Sequence, residues 1–168
     1  MNNKKTSLFC RLGAALLAFV LLFSLVSCGD NPDSAKGVLN ETVSRASLGQ
    51  KVLGSMKKKT LSVDGLGSTF GIWKDAPSFL SGYMYEPTLD PNTLVFACVE
   101  VDKSTAEQTA KDFLSKMDPG VQICVVYDTK IAVADGKYIL LAMGDTALCE
   151  KLESAFHATV AALQGDKQ

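Results

Sequence analysis

His157 is the only histidine in the 168-residue chain, and this limits acid–base and metal chemistry at the outset. A tetrahedral metal site draws on several nitrogen and sulfur ligands. Within helical reach His157 has only Glu153, four residues back on the same face. Two groups on an exposed face are expected to form a solvated pair, so no metal is expected. Nucleophilic catalysis has little to build on, because no G-x-S-x-G elbow occurs and any Ser–His pair must use His157. Glu100 and Asp102 point the same way on an expected strand, but they lie at its end beside a helix start. Solvation or capping is the reading there, and paired acids alone do not indicate a glycosidase. Cys98, Cys124 and Cys149 lie in apolar runs without a C-x-x-C, which excludes a thioredoxin-like redox centre. Buried thiols are the preferred reading. A Cys98–Cys124 disulfide is the alternative, allowed outside the cytoplasm. "GLGSTFG" at 65–71 suggests a phosphate loop but misplaces the third glycine of G-x-G-x-x-G and is rejected. No cofactor is expected.

Cys28 stands in a different context. Met1 to Arg11 is basic and polar, Leu12 to Val26 is almost wholly apolar, and Ser27-Cys28-Gly29 is small. That is the order of a secretory signal, and the apolar stretch is short for a membrane span, which needs about 20 residues. Leu25-Val26-Ser27-Cys28 resembles the lipobox of bacterial lipoproteins. The resemblance implies a diacylglyceryl group on the Cys28 thiol and cleavage between Ser27 and Cys28, which becomes the new N-terminus. An uncleaved signal anchor and a plain signal peptide with a coincidental cysteine compete with this reading. The full constellation favours lipidation. Two acyl chains, at about 0.8 kcal/mol per buried methylene, hold a protein stably at a bilayer. The expected location is the extracytoplasmic side of the cell membrane, and Cys10 falls in the discarded segment.

The whole chain carries 17 basic and 18 acidic side chains. Lys4, Lys5 and Arg11 all precede Cys28, leaving 14 basic and 18 acidic residues, a net charge of −4, from residue 28 onward. A mildly acidic domain has no electrostatic reason to bind nucleic acid. The expected organisation is a signal peptide over 1–27, a flexible tether over 28–34 and a single α+β domain over 35–168.

Within that domain, Asp33 or Ser34 is expected to cap a front helix carrying Leu39, Val43, Ala46, Leu53 and Met56, weakened by Gly37, Gly49 and Gly54. Lys57-Lys58-Lys59 would close it as a solvated helix end, in preference to a headgroup contact. Thr60 to Val63 alternates like a strand. Leu94 to Val99 is continuously apolar, as for a strand covered on both faces. Ser104 and Glu107 form a capping box for a helix bearing Ala106, Ala110, Phe113, Leu114 and Met117. Asp118-Pro119-Gly120 ends that helix, and Val121 to Tyr127 is expected to return as a strand parallel to the first. Asp135-Gly136 is expected to turn a hairpin as a two-residue type I′ turn, with Val133 opposite Tyr138 and Ile131 opposite Leu140. Asp145 caps a last helix with Leu148, Leu152, Ala155, Phe156, Thr159 and Leu163 on its buried stripe. These elements sum to a mixed β-sheet with a strand–helix–strand unit, the hairpin and a C-terminal amphipathic helix.

Five of the 13 aromatic residues, Phe70, Trp73, Phe79, Tyr83 and Tyr85, fall within 16 positions among Gly, Ser and Pro. They either close the core under a long loop or line a groove, with Phe70, Trp73, Tyr83 and Tyr85 as candidate ligand-binding rings. Residues 35–163 are similar to a family of small Gram-positive lipoproteins of unknown function. The likeness rests on "GYMYEP", "NTLVFACVEVDKSTAEQTAKDFL" and "IAVADGKYILLAMGD", and it implies no activity. The expected function is that of a non-enzymatic, lipid-anchored envelope protein that binds another protein or a small ligand through residues 65–92. The alternative is an extracytoplasmic enzyme in which Glu100, Asp102, His157 or the cysteines converge.

Overall fold

The computed structural model describes residues 31–88, 94–122 and 126–165; Ser27, Cys28, Cys124 and the signal segment lie outside the described residues. Ser34 caps the first helix, α1 (Ala35–Ala46), its hydroxyl accepting from the Gly37 amide at 3.1 Å. The helix stops at Ser47, whose φ of 50° is left-handed. One turn, α2 (Gln50–Leu53), leads to the edge strand β1 (Met56–Thr60). The expected front helix to Met56 is therefore cut short, and the lysine triplet lies in a strand instead of closing a helix. Tertiary partners decide this. Lys59 pairs with Glu86 of the neighbouring strand at 2.7 Å, and Lys58 lies over the Tyr85 ring. Lysines also protect an edge strand from foreign pairing.

The strand expected over Thr60–Val63 ends at Thr60. Ser62 instead caps α3 (Val63–Phe70), accepting from the Gly65 amide at 3.1 Å. The misplaced third glycine, Gly71, closes this helix with φ 76°. The Gly71 amide reaches back to the Gly67 carbonyl and the Ile72 amide to that of Leu66, a left-handed cap that favours glycine. The chain continues through β2 (Ser81–Pro87), β3 (Leu94–Glu100), α4 (Ala106–Lys116), β4 (Thr129–Asp135), β5 (Tyr138–Gly144) and α5 (Thr146–Gly165).

The five strands form one sheet in the order β1-β2-β3-β5-β4, with every neighbouring pair antiparallel. The class is α+β. The parallel pair expected between Leu94–Val99 and Val121–Tyr127 is not formed: the strand that runs in the same direction as β3 is β4, and β5 is inserted between the two. Val121, Gln122, Val126 and Tyr127, expected in a strand, belong to none of the five. The hairpin loop is Gly136-Lys137, with Asp135 opposite Tyr138, Val133 opposite Leu140 and Ile131 opposite Ala142. The register thus lies two residues from the expected one, which leaves every side chain on its expected face. Gly136 has φ 60° and Lys137 is not left-handed, so the turn is not of the I′ kind, which needs both. The capping box also fails to form: Thr105 is the N-cap of α4 and makes no side-chain cap bond.

Alternation along the strands sorts the core into two layers. On one face, Leu66 and Phe70 of α3 and Phe113 of α4 pack on Met84, Val95, Ala97, Val99, Ile139 and Leu141. On the other, Val38 and Leu39 of α1 and Leu152 and Phe156 of α5 pack on Tyr85, Phe96, Cys98 and Leu140. β3 and β5 are buried on both faces, as their unbroken apolar runs require.

Candidate functional site

β2 places Tyr83 and Tyr85 on the α1–α5 side, while Phe70 belongs to the core on the opposite side. Tyr85 is buried, stacked on Phe96 at 4.9 Å between centroids, and its hydroxyl donates to Asn40 Oδ1 at 2.7 Å. Tyr83 is partly buried, meets Tyr85 edge-on and lies under the Lys36 ammonium. Phe70 is wholly buried. The sheet therefore separates the four rings, and they do not line one groove.

Trp73 is the exception, 69% exposed. The left-handed cap at Gly71 turns the chain back over α3, and the indole lies against the helix backbone at Gly67. A Cβ at residue 67 would stand 2.5 Å from Trp73 Cε3, so the missing side chain is what lets the ring lie there. Beyond Trp73 the loop runs back along α4. Lys116 Nζ donates to the Asp75 carbonyl, and the Leu80 amide donates to the Glu100 carbonyl at 2.7 Å. Between loop and helix lies an open cleft of about 400 Å³. Pro77, Phe79, Leu80 and Val101 give it apolar walls, and Asp102 and Gln108 stand on its polar side. Leu80 is itself 69% exposed. The wall supplied by α4 was not anticipated; its only trace in the sequence is the polar face of that helix.

The acids and the histidine do not meet. Glu100 accepts from Lys137 Nζ at 2.8 Å and from the Ser81 hydroxyl at 3.1 Å. Asp102 borders the cleft. His157 Nδ1 lies 2.8 Å from Asp135 Oδ2 on the hairpin, so its partner is Asp135 and not Glu153. Among the described residues, no group of three or more His, Cys, Asp or Glu is placed to hold a metal ion.

A second polar cluster was not foreseen. The Tyr138 hydroxyl donates to Asp33 Oδ1 at 2.8 Å, and Lys137 Nζ lies 3.7 Å from the same oxygen. The hydrogen bond to Glu100 raises the Lys137 pKa, while burial, then the bond to Asp33, raises that of Tyr138. Asn31 and Pro32 press on the first turn of α1, where a Cβ on Gly37 would come 2.2 Å from the Asn31 carbonyl oxygen. Residues 31–34, expected in the flexible tether, are thus built into the domain.

Cys98 and Cys149 are buried free thiols, so the Cys98–Cys124 bridge is not made in this structure. Burial, with Glu100 adding to it, pushes the Cys98 pKa far up. Burial, reinforced by Asp145, Glu153 and Glu150, moves Cys149 from 9.0 to about 12. Both are poor nucleophiles in the folded state. Among the described residues no helix is long and apolar enough to cross a membrane. Compared with known proteins, the chain matches no family model, no curated protein and no solved structure.

Proposed function

We propose that this chain is a lipid-anchored, extracytoplasmic lipoprotein of the cell envelope, and that its domain is a binding module rather than an enzyme. Cys28 carries the anchor, and Ser27 ends the discarded signal. The exposed surface of the α3–α4 face binds another envelope protein or a small ligand. The observation that carries the binding role is the placement of Trp73. A large aromatic side chain is held against Gly67 while most of its surface stays in solvent. Ordered, exposed aromatic rings recur as energetic anchors of interfaces, because little side-chain freedom remains to be lost on binding. The neighbouring cleft, apolar on one wall and polar on the other, has the mixed lining of a ligand site. The separate surroundings of Glu100, Asp102 and His157 give acid–base catalysis no common centre.

The test compares what wild type and Trp73→Ala retain when purified from the membrane fraction under mild detergent. The reading expects a partner held by wild type and lost by the variant. An identical set of retained molecules would remove Trp73 from the binding surface. The anchor is tested separately: Cys28→Ala is expected to release the protein from the membrane fraction, and continued retention in the processed form would exclude lipidation.

A further inference from the structure

The N-terminal segment Asn31–Ser34 and the exposed aliphatic side chains Leu80 and Val63 fall at the same end of the sheet. Asp33 is fixed by the Tyr138 hydroxyl at the start of β5. Tyr138 is paired across the sheet with Glu100, and Glu100 with Ser81. The next residue back from Ser81 is Leu80, 69% exposed, whose amide bonds to Glu100. One strand further, the Leu61 amide bonds to Gly82, and two residues on stands Val63, 60% exposed at the first position of α3. A chain of adjacent residues thus links the fixed N-terminal segment to both exposed side chains.

We infer that this end of the domain, with Leu80 and Val63, rests on the bilayer that holds Cys28; the inference depends on the lipid-anchored reading above. Cys28 is followed by only Gly29 and Asp30 before Asn31, a span that reaches at most about 11 Å fully extended. Because Asn31 and Asp33 are tied to the domain, the tether cannot lengthen by paying out residues 31–34. The end bearing Asp33 is therefore kept within that distance of the lipid surface. Apolar side chains presented there can enter the boundary between headgroups and acyl chains, a layer about 5–10 Å deep for surface-lying elements. The exposed charges beside them, Asp64, Asp102 and Lys103, are of both signs. The contact is thus apolar and does not depend on anionic lipid. Trp73 lies over Gly67, one helical turn beyond Val63, on the flank rather than on the seated end.

The protein purified in detergent from the membrane fraction, reconstituted into vesicles of phosphatidylcholine and phosphatidylglycerol with brominated acyl chains, tests the inference. Trp73 is the only tryptophan, so a Trp73→Phe background can carry a single reporter at a chosen exposed site. Leu80→Trp reports the seated end. Val126→Trp reports the opposite end, beside Tyr127, whose amide bonds to Pro119 beyond the end of α4. Bromine quenching of the Leu80→Trp variant is expected to exceed that of Val126→Trp by at least about twofold, since bromolipids reach only side chains at the boundary. Equal quenching in protein that still floats with the vesicles overturns the seating and leaves the anchor intact. Protein that does not float, with an unmodified Cys28 by mass, overturns both.

Discussion

On one side of the sheet, α1 and α5 contribute 12 and 20 residues of helix, and the first turn of α1 is sealed by Asn31–Ser34 and the Asp33–Tyr138 bond. On the other side, the 11-residue α4 shares the surface with the eight-residue α3 and an irregular loop. Both sides bury a full apolar layer against the same strands, so the difference is not in the core. It lies in how the outer surface is finished. The helical side keeps Phe156, Leu152 and Tyr85 under cover. The loop side leaves Trp73, Leu80 and Val63 in solvent and a cleft beside α4. A surface closed by regular helices has little left to vary, whereas a loop on a rigid scaffold can carry binding groups.

The strongest way to break this comparison is to open the closed side. Phe156 has no exposed surface in the α1–α5 layer. Phe156→Ala should lower unfolding stability by about 3–5 kcal/mol, through lost burial and a cavity that rigid helices cannot refill. Urea denaturation followed by circular dichroism measures it. A loss of less than about 1 kcal/mol would mean that this layer repacks as readily as a loop.

Titration probes the same side. Cys149 has its pKa raised from 9.0 to about 12. A group raised in the folded state favours folding fully below its unfolded value, and that contribution drains away as pH rises through the folded value. Stability should therefore be insensitive to this thiol at pH 7–8 and fall between pH 9 and 12. Cys149→Ala, less stable at neutral pH, should show a shallower alkaline decline. Parallel curves for the two proteins would show that the thiol ionises alike in both states.

Much of this arrangement is legible in sequence, for identifiable reasons. The strand around Phe96 announces itself because burial on both faces demands an unbroken apolar run, and the strand around Leu140 through the Asp-Gly turn signal before it. The stripe of α5 follows from its 3.6-residue period, and parity alone put Val133 and Leu140 on one face even though the register differs by two residues. What escapes is whatever a distant partner decides. Lys57–Lys59 reads as a helix end until Glu86 and Tyr85 are beside it. The insertion of β5 between β3 and β4 leaves no mark in any local pattern. The aromatic segment reads as one cluster because its residues are adjacent in sequence. The sheet then passes between Phe70 and Tyr85. Asp33, polar and preceded by proline, gives no sign that Tyr138, more than a hundred residues later, will hold it.

That junction gives a smaller effect. Tyr138→Phe removes the donor to Asp33 while keeping the buried ring, and should cost about 1 kcal/mol, the usual net worth of one hydrogen bond. The sharper readout is local. Amide exchange at Asp33 and Ser34, where amides bond to Asn31, should accelerate while that in β3 and β5 is unchanged. Unaltered exchange at these two amides would mean that Asn31 and Gly37 suffice to hold the segment, and that Tyr138 is dispensable for fixing residues 31–34 to the domain.

The smallest effect on stability falls on the open side and says most about it. Gly67→Ala adds a methyl where the indole of Trp73 now lies, at 2.5 Å from Cε3. The ring is at the surface and can swing away, and alanine favours a helix interior over glycine by about 0.5–1 kcal/mol. The two terms oppose, so stability should change by less than about 1 kcal/mol in either direction. The emission of the single tryptophan should nevertheless shift to longer wavelength as the ring leaves the helix, and, on the proposed binding role, partner retention should fall as expected for Trp73→Ala. A displaced ring with undiminished retention would show that binding needs an aromatic group at residue 73 but not its fixed orientation. The open side would then work by adaptable contact instead of by the rigid placement that Gly67 allows.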